Sequence, residues 1–131
     1  MNKEEDEHRI AIKEINKWML DAVLANDINK VEECLDFGAN NFDNCIKFAA
    51  RFDKIFILKS LVEVSSFERE QLEPALIEAT KGKAIDSIRF LTENYDGIPC
   101  QKAIQLASNE ALQILLEYHK KPPEKKSFFK F

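Results

Sequence analysis

The stretch MLDAVLANDINKVEECLDFGAN, Met19 to Asn40, decides how the rest of the chain is read. Met19 and Ala22 lie three residues apart, Asn26-Asp27 interrupts with polar side chains, and Val31, Cys34 and Leu35 follow before Gly38-Ala39-Asn40. Apolar residues at spacings of three and four line one face of a helix, whereas a half-buried strand would alternate. Gly38, just past the last apolar residue, suits the left-handed conformation that ends a helix. The segment predicts a short helix, a tight turn and a second helix.

Working outward, the same pattern returns three times. Ile46 and Ala49 open IKFAARFDKIFILKSLV, in which Asp53-Lys54 takes the turn and Ile55, Leu58, Leu61 and Val62 form the second stripe. Leu76 and Ala79 open LIEATKGKAIDSIRFL, with Gly82 near the turn and Ile85, Ile88 and Leu91 on the stripe. Ile104 and Ala107 open IQLASNEALQILLEY, which ends on Leu112, Leu115 and Leu116 after a turn about four residues shorter. A unit of two helices cannot bury both faces alone, so units of this kind stack on their neighbours and share a continuous core. Ala22, Ala49, Ala79 and Ala107 are then small because the first helices of adjacent units approach closely.

These residues resemble the ankyrin repeat. The likeness is clearest in Asn26-Asp27 at the turn, Val31, Cys34 and Leu35 on the second helix, and the closing Gly38-Ala39-Asn40; Ile46-Lys47-Phe48-Ala49-Ala50 is similar to the family's L-H-x-A-A. It covers roughly Met19 to Tyr118, although no unit carries the full T-P-L-H tetrapeptide. The resemblance implies an all-α, ankyrin-like helical-hairpin solenoid. The links from Leu35 to Ile46, Val62 to Leu76 and Thr92 to Ile104 are short for the family, so the β-hairpin fingers are expected to be shortened or missing. A compact bundle of seven or eight helices would show similar periodicities, differing in contacts between distant units.

The boundaries follow from local signals. Residues 1–119 read as one repeat domain, with a cap at 1–18 and units near 19–40, 44–64, 74–95 and 101–119. Lys3 to Lys17 continue helically into the first unit, with Ile10, Ile15, Trp18, Met19, Ala22 and Val23 on one face, as a cap over that unit's open side. Glu4-Glu5-Asp6-Glu7 complements the dipole at the helix start. Asp43 or Asn44 caps the next helix, Pro74 suits a first helical turn, and Gly97 with Pro99 separates the third and fourth units. Phe37, Phe42 and Phe67 lie in the links and are expected to plug gaps left by the missing fingers. Residues 120–131, KKPPEKKSFFKF from Lys120, form a basic, Phe-rich tail of about +4 against an acidic body.

Composition narrows the chemistry. The chain of 131 residues fits one domain, and 45% apolar with 32% charged residues fits a globular fold rather than a disordered one. Only 3 glycines and 4 prolines favour long helices over a β fold. No apolar run approaches the roughly 20 residues of a membrane span, so stable membrane insertion is not expected. A net charge of −4 argues against nucleic acid as partner. Cys34, Cys45 and Cys100 are odd in number and form no C-x-x-C pair, pointing to reduced thiols in the cytoplasm and to neither a disulfide framework nor a metal site. The charged start, MNKEEDEHRI, shows no cleavable export signal, which leaves export by a signal-independent machine open. His8 and His119 sit near opposite ends and read as solvated side chains. Three scattered glycines make no phosphate loop, so no catalytic, cofactor or metal residue is nominated and the chain does not read as an enzyme.

What remains is surface. The resemblance implies that residues at the end of each first helix and just before it line a concave, partner-facing side: Leu24, Ala25, Asp43, Arg51, Phe52, Glu73, Lys81, Gln101, Asn109 and Glu110. Phe52 beside Arg51 stands out because aromatic and arginine side chains dominate interface hot spots. The first functional expectation is a non-enzymatic adaptor, scaffold or inhibitor, monomeric or within a hetero-complex. By analogy it would be a bacterial or viral effector acting on a host protein. The alternative is a small regulatory or inhibitory subunit that engages a partner, or weakly an anionic membrane, through tail residues Lys125, Lys126, Phe128, Phe129 and Phe131.

Overall fold

Three alanines spaced like the sequence repeat begin one backbone device, and that device sets the architecture. The carbonyl of Ala22 accepts the N–H of Asp27 at 2.9 Å, that of Ala49 accepts Lys54 at 2.8 Å, and that of Ala79 accepts Ala84 at 2.9 Å. In each case the preceding residue is left-handed, Asn26 at φ +56°, Asp53 at +58° and Lys83 at +56°, and donates its N–H three residues back. This is the Schellman ending, in which two otherwise orphaned carbonyls are satisfied while the chain reverses. Asn and Asp tolerate the left-handed region better than most side chains; Lys83 adopts it without that help.

The computed structural model describes residues 3–121, whose only regular secondary structure is helical. The helices are α1 (Lys3–Leu24), α2 (Ile28–Asp36), α3 (Phe42–Arg51), α4 (Ile55–Ser65), α5 (Glu73–Lys81), α6 (Ile85–Asn94), α7 (Gln101–Leu106) and α8 (Asn109–Lys120), with a single 3-10 turn at Arg69–Leu72. No strand occurs among the described residues, and 37–41 and 95–100 are irregular links. Consecutive helices pair as α1/α2, α3/α4, α5/α6 and α7/α8. First helices pack on first helices, α1 on α3, α3 on α5 and α5 on α7, and second helices on second, α2 on α4, α4 on α6 and α6 on α8. The substantial packing is confined to partners in a pair and to adjacent pairs.

Equivalent residues fill equivalent places. Met19, Ile46 and Leu76 are buried, as are Val31, Cys34, Leu58, Leu61, Val62, Ile88 and Leu91 from the second helices, in one continuous core cluster. Polar bonds pin the pairs together. Asn16 of α1 accepts the Asn40 N–H at 2.8 Å, donates to the Asn40 side chain at 2.9 Å, and its backbone carbonyl accepts Asn41 Nδ2 at 2.9 Å. Asp53 Oδ1 accepts both the backbone N–H (2.9 Å) and hydroxyl (2.7 Å) of Ser87, so the turn of one pair caps the α6 helix of the next.

Several expectations need correction. Residues 3–18 continue helically into the first pair: they lengthen α1, which at 22 residues is one uninterrupted helix. Trp18 is accordingly half exposed. Its equivalents Cys45, Ala75 and Ala103 are buried because another pair precedes each of them, and among the described residues none precedes α1. The N-cap of α3 is Asn41, not Asp43 or Asn44, since the helix begins at Phe42. Phe42 and Phe67 pack against the core, but Phe37 is 69% exposed and plugs nothing. The fourth pair also departs from the pattern. α7 ends at Leu106, Ala107 is extended, and only Ala107 and Ser108 separate it from α8. Ala107 therefore lacks the role of Ala22, Ala49 and Ala79, and Leu116 is exposed.

Candidate functional site

Because the first helices run parallel, the row has two edges. Arg51 at the C-terminal end of α3 meets Glu78 near the C-terminal end of α5, which fixes their common direction. Leu24, Arg51, Phe52 and Lys81 thus lie on the edge formed by helix C-termini, and Asp43, Glu73 and Gln101 on the edge formed by N-termini. At 1.5 Å per residue the two edges are about 12 Å apart along α3. Seven of the ten residues expected to form one face fall into two groups.

The C-terminal edge is the better built. Phe48 and Phe52, one helical turn apart on α3, stack with ring planes 2° apart and centroids at 6.2 Å, and both are exposed. Arg51 Nη1 reaches Glu78 Oε1 at 3.0 Å, and Lys81 Nζ reaches Glu78 Oε2 at 3.3 Å, so one carboxylate holds two cations in place. Gly82 makes this approach possible: a Cβ built there would stand 2.0 Å from the Arg51 carbonyl oxygen, which leaves no room for any side chain. Gly82 is also the positional equivalent of Phe52. Beyond Lys81 a cleft of about 350 Å³ is lined by Lys81, Lys83, Leu106 and Glu110. Leu106 is half exposed, and the Glu110 carboxylate already pairs with Arg89.

The N-terminal edge brings Glu73 and Gln101 together around a second cleft of about 390 Å³, with Cys100, Tyr118 and His119 in its wall. The hydroxyl of Tyr118 donates to the Tyr95 carbonyl at 2.6 Å and accepts the Ile98 N–H at 2.8 Å, fastening α8 to the link before α7. Cys100 Sγ lies 3.5 Å from His119 Nδ1, so His119 is not simply solvated. A nucleophilic thiol needs its pKa lowered. Burial pushes the Cys100 thiol up instead, does the same to Cys34, and carries Cys45 up to about 12. Burial also raises Tyr118, against the opposing bond from the Ile98 N–H. Asp43 is exposed and pairs with Lys47 at 3.5 Å, away from both clefts.

Sequence reasoning passed over Phe48, Glu78, Lys83 and Leu106. Phe48 had a usable signal, four residues before Phe52 on a helix and hence on the same face. Glu78 was legible only through its equivalence to Phe48 and Asp21, which nothing in its own neighbourhood marks. Tail residues Lys125, Lys126, Phe128, Phe129 and Phe131 lie outside the described residues. Among the described residues no group of three or more His, Cys, Asp or Glu is arranged to hold a metal ion, and no helix is long and apolar enough to cross a membrane. Compared with protein-family models, curated proteins and solved structures, the chain finds no match in any of the three.

Proposed function

We propose that the chain is a non-enzymatic protein-interaction module, a short ankyrin-like solenoid without β-hairpin fingers, that engages a protein partner through the C-terminal edge of its first helices. Like-on-like stacking and packing between neighbours support the solenoid reading. The observation that carries the function is the exposed, mutually stacked Phe48–Phe52 pair beside the Arg51–Glu78–Lys81 ion cluster. Aromatic rings left in water on ordered backbone, next to an immobilised arginine, are the usual composition of a binding hot spot. The raised thiols favour binding over nucleophilic chemistry. An adaptor, scaffold or inhibitor in a reducing cytosol fits, since all three cysteines are free and buried.

The test is recovery of a partner from a cell extract on immobilised full chain. Phe52→Ala and Arg51→Glu should each remove most of the specifically captured protein, while Gln101→Ala on the opposite edge should leave it unchanged. Equal capture by all four proteins would dismiss the C-terminal edge as the site.

A further inference from the structure

The C-terminal edge has a charge as well as an apolar pair, and the two together specify what it takes. From Phe52 the surface runs through Phe48 and Arg51 to Glu78 and Lys81, then across the cleft to Lys83 and Leu106. Three cations, Arg51, Lys81 and Lys83, stand along it against one carboxylate, Glu78, both of whose oxygens are engaged. Two further carboxylates nearby are engaged: Asp53 caps α6 through Ser87, and Glu110 is paired with Arg89. Lys83 meets no anion among the described residues. The second helices carry the reverse balance, with Glu32, Glu33 and Asp36 against Lys30 on α2 and with Asp86 and Glu93 against Arg89 on α6.

Shape adds to charge. The stacked rings make a raised apolar step, and the cleft past Lys81 ends on the half-exposed Leu106. An occupant that matches both has apolar anchors at two places, one for the ring step and one for Leu106, with carboxylates between them for Arg51, Lys81 and Lys83. We infer that the partner contributes an acidic segment with large apolar anchors, an Asp/Glu-rich peptide stretch laid along this edge. The inference rests on the function proposed above and deepens it by naming the chemistry of the partner. A basic segment would bring like charges against three cations and lose affinity by repulsion.

A library of random twelve-residue peptides displayed on phage is selected on the immobilised full chain, and the winners are synthesised. Their Kd is then measured on the wild type, on Phe48→Ser/Phe52→Ser and on Lys81→Glu/Lys83→Glu, each first checked for native helicity. The expected winners carry net negative charge with two or more large apolar residues. They should bind both variants at least about tenfold more weakly, a loss of the size hot spots show, and should weaken as salt is raised. If the aromatic variant fails to fold, the lysine variant alone decides, since its changes are exposed. Neutral or basic winners that still need Phe48 and Phe52 would overturn the acidic partner while leaving the edge as the binding site. Winners that bind every variant as tightly as the wild type would remove the edge itself. A selection that enriches nothing would overturn recognition of a linear segment, leaving capture of a folded partner from an extract to judge the broader reading.

Discussion

The first three helix pairs and the fourth solve the same problem with different materials. In the first three, backbone does the joining: a Schellman turn on Ala22, Ala49 and Ala79, and at α3 and α5 an approach so close that Gly82 has no space for a side chain. The fourth pair has no such turn, and its first helix is only six residues. It is held by side chains, the Tyr118 hydroxyl bridging Tyr95 and Ile98, and Arg89 with Glu110. Backbone-to-backbone packing admits no substitution, whereas a side-chain clasp can be removed one bond at a time. The interior of the row should therefore fail globally and the fourth pair locally, a gradient of the kind hydrogen exchange resolves.

The sharpest way to break the contrast is at Gly82. Gly82→Val places carbon against the Arg51 carbonyl, backbone that cannot swing aside, so α3 and α5 must part. A loss of about 3 kcal/mol in denaturant unfolding is expected, at the upper end of overpacking costs. A loss below about 1 kcal/mol would mean that the two helix ends are freer than the geometry requires.

The interior should also be the part that alkali undoes. Burial raises the Cys45 thiol to about 12 from 9.0 in the unfolded chain. As pH rises through 9 the unfolded chain gives up this proton while the folded chain keeps it, so stability falls between pH 9 and 12. By pH 10.5 the loss is about 2 kcal/mol at 1.36 kcal/mol per pH unit. Cys45→Ala, although less stable at neutral pH, should show a shallower decline over that window. An identical decline in both proteins would assign the alkaline loss elsewhere.

This contrast was only half visible in the sequence. The alanine ladder and the 27- and 30-residue spacing from Met19 to Ile46 to Leu76 carried over to the structure because the Schellman turn ties its geometry to one position of each first helix. Ala107 looked like a fourth rung, yet it is an extended residue in a two-residue link. Its apolar neighbours Ile104 and Leu106 fit a helix pattern equally well whether or not the turn follows. Gly82 was legible only as lying near the turn; what matters is its contact with Arg51, 31 positions away, which no local pattern contains. The same holds at the candidate site. Phe52 and Arg51 were legible as residue types, but the split of the seven candidates between two edges depends on the direction of helices that sequence periodicity does not orient.

The fourth pair is tested by Tyr118→Phe. The ring stays buried and the hydroxyl goes, leaving the Ile98 N–H without its acceptor in a residue that is 2% exposed. A buried donor left unsatisfied costs about 1 to 3 kcal/mol. Here about 1.5 kcal/mol is expected, and the signature is where it appears. Exchange of the Ile98 amide and of amides in α7 and α8 should speed up, while those of α3 and α5 keep their protection. Uniform acceleration along the chain would show that the fourth pair is no less bound to the row than the others.

The smallest effect is also the one that separates two roles held by a single residue. Asp53 is left-handed at φ +58° and its carboxylate caps α6 through Ser87. Asp53→Ala loses the cap and places a residue poorly suited to positive φ, and should cost about 1 kcal/mol. Asp53→Asn keeps an acceptor oxygen and tolerates the left-handed region, so it should stay close to the wild type. Asp53→Gly loses the cap but relieves the backbone, and should fall between them. If Gly matched Asn, the Asp53–Ser87 bonds would contribute nothing net, and the second and third pairs would be joined by apolar packing, backbone approach and the Arg51–Glu78 ion pair. If Gly matched Ala, the turn would owe nothing to left-handed tolerance at this position, and the cap between neighbouring pairs would account for the whole effect.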